Sequence, residues 1–180
     1  MLKPTFAAMA GLSLLPAFAS SNLAVKPGVR PSAETSARPG ARESLDAFNK
    51  KFIGNCTGMD QAAAAALWAD DGVDLIQGMQ PMVGKAVIAK WLNGLTPQLK
   101  GAKMLYCTVD WRDIKIQGDW AYEWGINRQK IAFPPLQEAF ENEGKILLIV
   151  KRQAAGDWRL ELESWNSSPQ PPKKPSTEKP

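Results

Sequence analysis

Any acid–base chemistry in this chain has to come from carboxylates, tyrosine, lysine or cysteine, because its 180 residues include no histidine. The absence of histidine excludes Ser-His-Asp and Cys-His catalysis, histidine-ligated zinc and an imidazole proton shuttle. Two cysteines are also too few for a structural zinc site or an iron–sulfur cluster. We therefore expect neither a metal nor a cofactor, and the carboxylates become the first residues to place.

Carboxylates occupy two segments whose side chains alternate as in β-strands. Asp74 lies in a short predicted strand, and Glu161 and Glu163 lie in the predicted last strand. Alternation would place both glutamates on the same side as Trp165. The opposite side would carry the apolar side chains of Trp158, Leu160 and Leu162. A glutamate on such a strand is usually solvated, or buried with a hydrogen-bond partner.

Aromatic side chains are concentrated in the segment 43–167, which holds all seven tryptophans. Trp120, Tyr122 and Trp124 alternate along one predicted strand and so share one of its faces. If that face is concave, the three rings form a wall suited to a flat or apolar ligand. Ordinary core packing is the alternative explanation of the aromatic content.

The periodicity of apolar residues divides this segment into a helical first half and a β-rich second half. Asp60 is predicted to cap the second helix, 70–72 to form a turn, and the prolines at 134–135 to open a loop. Helices are predicted at 44–53, 60–68 and 85–95. Strands are predicted at 73–76, 105–117, 120–127, 145–153 and 158–166. This pattern indicates an α+β domain, a curved antiparallel sheet packed on three N-terminal helices.

Both ends of the chain are predicted to lie outside the folded domain. Residues 1–19 have the basic start, apolar run and small-x-small ending of a secretory signal peptide, cleaved after Ala19. The apolar run is shorter than the roughly 20 residues of a membrane span, so a retained anchor is the less favoured alternative. Residues 20–42 are predicted to be a disordered linker, and 168–180 a disordered Pro/Lys tail. We expect an exported protein, periplasmic or secreted, with no membrane span after cleavage.

The formal charge of +4 could suggest a nucleic-acid-binding protein, but its location argues against this. Lysine and arginine are in excess in 1–19, 20–42 and 168–180, whereas 43–167 is slightly acidic. A folded nucleic-acid-binding surface would concentrate basic residues on the domain itself. We therefore expect no nucleic acid as a partner.

Cys56 and Cys107 would both meet an oxidising environment if the chain is exported. They lie in different predicted elements, so two alternatives stay open: a disulfide between them, or two small buried thiols. A nucleophilic role is disfavoured, because no histidine is present to activate a thiol.

The segment 66–92, ALWADDGVDLIQGMQPMVGKAVIAKWL, resembles the helix-turn-strand-helix signature of SnoaL-like domains. These domains belong to the nuclear transport factor 2-like superfamily, alongside ketosteroid isomerase. The segments GDWAYEWG (118–125) and GDWRLELESWNS (156–167) are similar to two strands of the same superfamily. The resemblance covers nearly all of 43–167 and implies a cone, a bent sheet wrapped round helices that encloses a pocket. Fold alone does not select a function among the members.

Comparison with the isomerase, position by position, implies that its steroid chemistry is absent. That enzyme uses a first-strand carboxylate as base, and a tyrosine and a protonated aspartate to hold an oxyanion. In this chain the three positions fall on Leu75 or Ile76, on Phe52 and on Leu148, all of them apolar. Trp165, by contrast, matches a pocket tryptophan of the isomerase.

The same resemblance implies which side chains line the pocket. Because the strand face of Trp165 lines it, Glu161 and Glu163 should point inward, and burial there would raise the pKa of Glu163 and suit it to acid–base work. A Glu163 that merely accepts a structural hydrogen bond is the alternative. The expected pocket residues are Phe52, Trp68, Ile76, Tyr122, Trp124, Leu148, Glu161, Glu163 and Trp165.

Three functions are compatible with these features. The first is an exported domain that binds a small apolar or aromatic ligand without catalysis, and the apolar isomerase positions favour it. The second is a cofactor-free isomerase, lyase or cyclase with Glu163 as its acid–base residue. The third is a dimeric envelope interaction module. The predicted strand core 146–150 is apolar on both faces, so we also expect a homodimer through the outer sheet face.

Overall fold

The computed structural model describes residues 39–133 and 139–169. The predicted signal peptide, the linker up to residue 38, the loop at 134–135 and the tail from residue 170 lie outside the described residues. Within the described ranges, no helix is both long enough and apolar enough to cross a membrane.

The first helix is longer than its predicted span of 44–53. Helix α1 (Ala41–Gly58) includes Gly54, which was predicted to end it. The helix stops where Met59 adopts a left-handed backbone, with φ of 53°. A left-handed residue is the common way for a helix to end, because it turns the chain away from the helix axis.

The second and third helices follow the sequence signals closely. Asp60 caps α2 (Gln61–Ala66), and its Oδ1 accepts a 2.9 Å hydrogen bond from the Ala63 N–H. Helix α3 (Lys85–Leu95) has its predicted bounds. The three helices precede the long strands, as the composition of the two halves indicates.

Six strands form one open sheet in the order β2-β1-β6-β5-β4-β3. They are β1 (Trp68–Ile76), β2 (Met82–Val83), β3 (Lys103–Gln117), β4 (Trp120–Ala132), β5 (Ala139–Arg152) and β6 (Trp158–Ser167). Strands β1 and β6 run parallel and the other neighbours antiparallel, so the sheet is mixed rather than wholly antiparallel. A parallel pair needs a long connection, and here α3 and four strands separate its members in the chain. The α+β architecture with three N-terminal helices confirms the predicted fold class.

The start of β1 differs from the prediction. Trp68 does not end the second helix and 70–72 is not a turn, because both belong to β1. The register of β1 against β6 shifts between Trp68 and Val73, so the acidic stretch is an irregularity within a strand. Gly72 is required there, since a Cβ at this position would lie 2.8 Å from the Trp68 ring.

A disulfide bond between Cys56 and Cys107 joins α1 to β3. Of the two alternatives that the sequence leaves open, the structure therefore has the disulfide. The Cα atoms lie 6.1 Å apart, within the usual range for such a bond. The bond attaches the C-terminal end of the longest helix to an edge strand of the sheet.

The helices pack on one face of the sheet, which we call the inner face. Leu45 of α1 and Ile88 of α3 are 0% exposed and meet the strand side chains in a single apolar core. The opposite face, which we call the outer face, carries exposed aromatic rings and paired charges.

Candidate functional site

Registered neighbours on the inner face form transverse rows across four strands. The first row consists of Trp68, Leu160, Val150 and Ala121, all buried. The second row consists of Asp74, Glu163, Leu148 and Glu123. The third row consists of Ile76, Trp165, Ile146 and Gly125. The second row, which we call the carboxyl row, therefore places three carboxyl groups on an otherwise apolar face.

Burial varies along the carboxyl row. Asp74, Leu148 and Glu123 are 3%, 0% and 0% exposed, whereas Glu163 is only partly buried, as are Ile76 and Trp165 in the third row. These partly exposed side chains indicate that the helices do not cover this part of the inner face completely. We call this region, formed by Asp74, Ile76, Glu163 and Trp165, the concave site.

Asp74 and Glu163 are registered neighbours on β1 and β6. Adjacent strands lie about 4.8 Å apart, so the two carboxyl groups are one strand spacing from each other. Burial raises the pKa of Asp74 to about 6, and burial together with the charge of Asp74 raises the pKa of Glu163 to about 8. Asp74 Oδ1 is buried without a hydrogen-bond partner. Both groups therefore resist ionisation, and the pair resists carrying two negative charges at once.

Glu123 is the third carboxyl of the row, and sequence reasoning missed it. It is 0% exposed, and its Oε2 accepts a 2.7 Å hydrogen bond from Asn49 Nδ2 of α1. Burial raises its pKa to about 7, against the opposing effect of the Asn49 hydrogen bond. Glu123 Oε1 and Asn49 Oδ1 are both buried without a partner, and a proton on Oε1 could serve both oxygens. The available signal was the alternation of β4, which puts Glu123 opposite its aromatic neighbours.

The aromatic side chains of β4 lie on the outer face, contrary to the expected concave wall. Trp120, Tyr122 and Trp124 are 45%, 37% and 42% exposed. Tyr122 Oη donates a 3.2 Å hydrogen bond to Asp113 Oδ2, which lies on the same face of β3. Tyr122 and Trp124 are therefore not part of the concave site. Their alternation is as predicted, but a period of two does not say which face is concave.

A β-bulge at Glu161 interrupts the alternation of β6. Ile149 pairs with Leu162 and the next residue, Val150, pairs with Leu160, so Glu161 is the extra residue. Before the bulge, Trp158 and Leu160 face inward; after it, Glu163 and Trp165 do. The predicted division of this strand into an apolar side and a glutamate side is therefore wrong.

The bulge also separates the two glutamates. Glu161 does not lie beside Glu163 on the inner face but lines a surface cleft of about 470 Å³. Burial and then the charge of Asp71 raise the pKa of Glu161. Lys151 and Arg159 border the same cleft, so its lining carries charges of both signs.

Trp165 is held in place by two neighbours. Its Nε1–H donates a 3.3 Å hydrogen bond to Asn127 Oδ1, and Asn127 Nδ2 in turn donates to the Thr108 carbonyl at 3.1 Å. Gly144 lies directly against the indole, since a Cβ at this position would be 2.6 Å from Trp165 Nε1. The indole is therefore fixed over β5 and β4, at the border of the concave site.

The remaining expected pocket residues lie at the border of the concave site, between α1 and the core, or within the core. Ile76 pairs with Trp165 and borders the concave site. Phe52 is partly buried and packs from α1 against the core. Trp68 and Leu148 are 3% and 0% exposed, so they support the site as core residues rather than as accessible surface.

A second cleft, of about 380 Å³, opens over Asn49 between α1 and β3. Neither this cleft nor the one at Glu161 includes Asp74 or Glu163. In the part of the chain that the structure describes, no group of three or more histidine, cysteine or acidic side chains is placed to hold a metal ion.

No family model and no curated protein matches the chain, but solved structures do. A ketosteroid isomerase-like protein from Erwinia carotovora atroseptica gives a TM-score of 0.61 at 16% identity, over 73% of this chain and 99% of that one. A nuclear transport factor 2-like protein with a cystatin-like fold, from Novosphingobium aromaticivorans, gives 0.57 at 19% identity, over 69% and 80%. A protein from Catenulispora acidiphila, solved in complex with S-DNPA, gives 0.61 at 11% identity, over 72% and 95%.

These identities establish a common fold and carry no activity with them. The shared architecture is the one described above, with helices on the inner face of an open, mixed sheet. It matches the resemblance seen in the segments 66–92, 118–125 and 156–167. The chain therefore contains a domain with the fold of these ketosteroid isomerase-like and nuclear transport factor 2-like proteins.

Proposed function

We propose that this domain binds a small apolar or aromatic ligand at the concave site. The observation that carries the proposal is the buried, unpartnered Oδ1 of Asp74 beside Glu163, bordered by Ile76 and Trp165. A buried polar atom without a hydrogen bond costs about 1–3 kcal/mol. A ligand that donates a hydrogen bond to Asp74 would recover this cost, while its apolar body would cover the two neighbouring side chains.

Two further features support binding at this place. The indole of Trp165 is fixed by Asn127 and Gly144, so little conformational entropy is lost when a ligand packs on it. In addition, the Catenulispora acidiphila protein of the same fold was solved in complex with S-DNPA. The three isomerase positions fall on apolar residues of this chain, Leu75 or Ile76, Phe52 and Leu148, which favours binding over the chemistry of the isomerase.

A fluorescence titration with the neutral apolar probe N-phenyl-1-naphthylamine tests the proposal. We expect saturable binding at one site, weakened about tenfold or more in Trp165→Ala, because an aromatic wall contributes on the order of 1.4 kcal/mol. Trp124→Ala is the matched control, since that ring lies on the outer face of the neighbouring part of the sheet. Absence of binding, or equal weakening in the two variants, would contradict the proposal.

Acid–base catalysis is the second candidate, and the Asp74–Glu163 pair specifically favours it. Two neighbouring carboxyl groups with raised pKa values can hold a proton in one and act as a base through the other. We propose Glu163 as the acid–base residue of such an enzyme, with Asp74 tuning its proton affinity. This enzyme would need no cofactor.

Cleavage of 5-nitrobenzisoxazole, a general probe for carboxylate bases in apolar sites, tests this second candidate. The base removes the C3 proton while the N–O bond breaks to give a cyanophenolate, so no other reactant is required. We expect turnover above background that rises with pH as the pair ionises and is lost in D74N/E163Q. Glu161→Gln should leave it unchanged. A rate equal to free carboxylate in solution would exclude the catalytic candidate.

Export of the protein is supported by the sequence of residues 1–19 and by the Cys56–Cys107 disulfide, which suits an oxidising compartment. We propose cleavage after Ala19. N-terminal sequencing of protein recovered outside the cytoplasm should then begin at Ser20. A cytoplasmic protein that retains residue 1 would refute the proposal.

A homodimer through the outer sheet face is supported by its exposed rings. Trp120, Tyr122 and Trp124 form an aromatic row, beside the partly buried Leu147 and Ile149 of β5. An exposed apolar area of this kind is typical of an interface. Native mass spectrometry at micromolar concentration should show a dimer that Trp124→Asp converts to monomer. A monomeric wild-type protein would refute the dimer.

A further inference from the structure

The Asp74–Glu163 pair differs from other carboxylates of the sheet in having no counter-charge. On the outer face, for example, Glu143 accepts a 2.7 Å charge-assisted hydrogen bond from Arg128. Across the described ranges, neither Asp74 nor Glu163 forms a salt bridge, and the charge that most affects Glu163 is that of Asp74 itself. Each carboxyl group of the pair thus has the other carboxyl group as its neighbour, and neither has a positively charged partner among the described residues.

The nearest registered neighbours of the pair on the inner face are apolar. Leu148 follows it along the row on β5, Leu160 and Trp68 lie in the row before, and Ile76 and Trp165 lie in the row after. A carboxylate charge among such neighbours is uncompensated, and an unpaired charge in apolar surroundings costs several kcal/mol. A cation brought by a ligand would remove this cost.

The position of Trp165 adds a second attraction for a cation. Trp165 follows Glu163 by two residues on the same strand and faces the same side of the sheet. The face of an indole ring is negative, and a cation within about 6 Å of its centre is attracted to it. Carboxylates and an indole together form an environment that selects for positive charge on an otherwise apolar ligand.

We propose that the ligand of the concave site is an apolar amine, whose protonated amino group pairs with Asp74 and Glu163 and whose body covers Ile76 and Trp165. This inference rests on the proposed binding function and names the chemical class of its ligand. An ammonium group offers three N–H donors and no acceptor, which suits two carboxyl groups with an unpartnered oxygen. A ligand that carries a carboxylate would be repelled.

Three naphthalene probes that differ only in their head group test this inference: 1-naphthylmethylamine, 1-naphthalenemethanol and 1-naphthoate. We expect the amine to bind wild-type protein about tenfold or more tightly than the alcohol at pH 7, because hydrogen bonds between charged groups are about twice as strong as neutral ones. The carboxylate should bind least. Isothermal titration calorimetry on the full chain measures all three.

The double variant D74N/E163Q should abolish the preference for the amine while keeping the shape of the site. Both substitutions are needed, because a single one leaves the other carboxyl free to ionise. Glu161→Gln is the matched control: it removes a glutamate from the same strand, but from the side of the surface cleft. It should preserve the tenfold preference.

The outcomes separate this inference from the function on which it rests. If none of the three probes binds, the proposed function fails as well. If the alcohol binds wild-type protein as tightly as the amine, the function stands and the amine class is refuted. Retention of the amine preference in D74N/E163Q would also refute the amine class. If that variant does not fold, the comparison of amine and alcohol on wild-type protein still tests the amine class.

Discussion

The inner and outer faces of one sheet hold their carboxylates in opposite ways. On the outer face, Glu143 is exposed and paired with Arg128. On the inner face, burial raises the pKa of each carboxyl, and within the described residues none of them forms a salt bridge; they are Asp74, Glu123 and Glu163. Since these residues lie on neighbouring strands, the face of the strand, not the residue type, decides whether a carboxylate is a surface charge or a buried acid.

The largest expected effect on folding stability comes from removing the disulfide that joins α1, on the inner face, to β3. The double variant C56S/C107S removes a link between positions 51 residues apart, and loop entropy predicts a loss of about 4 kcal/mol of folding stability. Urea denaturation with and without a reductant measures it. Wild-type protein with reductant should match the variant. A loss below about 1 kcal/mol would show that packing alone holds α1 on the sheet.

The next effect compares neighbouring leucines that face opposite sides of β5. Leu148→Ala empties a position that is 0% exposed, and we expect a loss of about 3 to 4 kcal/mol from transfer and cavity terms. Leu147→Ala, on the outer face, is the control and should cost about 1 kcal/mol, because that side chain is only partly buried. Equal losses would mean that the two faces are equally covered, as in a very stable dimer.

A pH-dependent effect distinguishes the buried acids from the surface charges. The pKa of Glu123 is raised from 4.5 to about 7 in the folded protein, so its contribution to stability is fully present at acid pH and is lost as the pH rises through about 7. Glu123→Gln should be nearly neutral at pH 5 and more stable than wild type by about 2 to 3 kcal/mol at pH 9.

Denaturant midpoints measured between pH 5 and pH 9 check this sign. If Glu123→Gln were less stable than wild type at pH 9, the ionised carboxylate would have to be stabilised by Asn49 more than it is penalised by burial.

The smallest effect belongs to the outer face itself. Glu143→Gln breaks the 2.7 Å pair with Arg128, yet both side chains are more than 40% exposed. Exposed ion pairs contribute about 0–1 kcal/mol, so the change in stability should stay below about 1 kcal/mol and should vanish at high salt. A loss of several kcal/mol would show that the outer face is buried, which is what a dimer predicts.

The sequence predicted the elements better than it predicted their orientation. The cap at Asp60, the bounds of α3 and the alternation of Trp120, Tyr122 and Trp124 all follow from local signals. Alternation along β4 separates its two faces but does not identify the face that packs against the helices, because that depends on the whole fold. For that reason the sequence did not reveal that the aromatic residues of β4 lie on the outer face, or that Glu123 is buried on the inner face.

The candidate site could be predicted only in part, for two physical reasons. The inward direction of Glu163 follows from the resemblance at Trp165, and the structure places both on the inner face. Its partner Asp74 comes from a distant part of the chain, through a parallel pairing that local periodicity does not reveal. The disulfide was undecided for the same reason, because contact between Cys56 and Cys107 is a property of the fold.

The bulge at Glu161 means that the chemistry of β6 depends on residue count as well as residue identity. The strand has two halves in opposite phase, and Glu161 supplies the one-residue offset between them. Deleting it would make the pairing of β6 with β5 regular and would leave Glu163 on the inner face. A strand that kept Glu161 but lost the bulge would instead turn Glu163 to the outer face and bring Leu162 and Ser164 inward. Relatives that lack this residue would therefore keep an acidic inner position, whereas relatives that keep the residue without the bulge would present an apolar or hydroxyl one. Alignments of this strand should therefore place their gap at Glu161 before residues are compared.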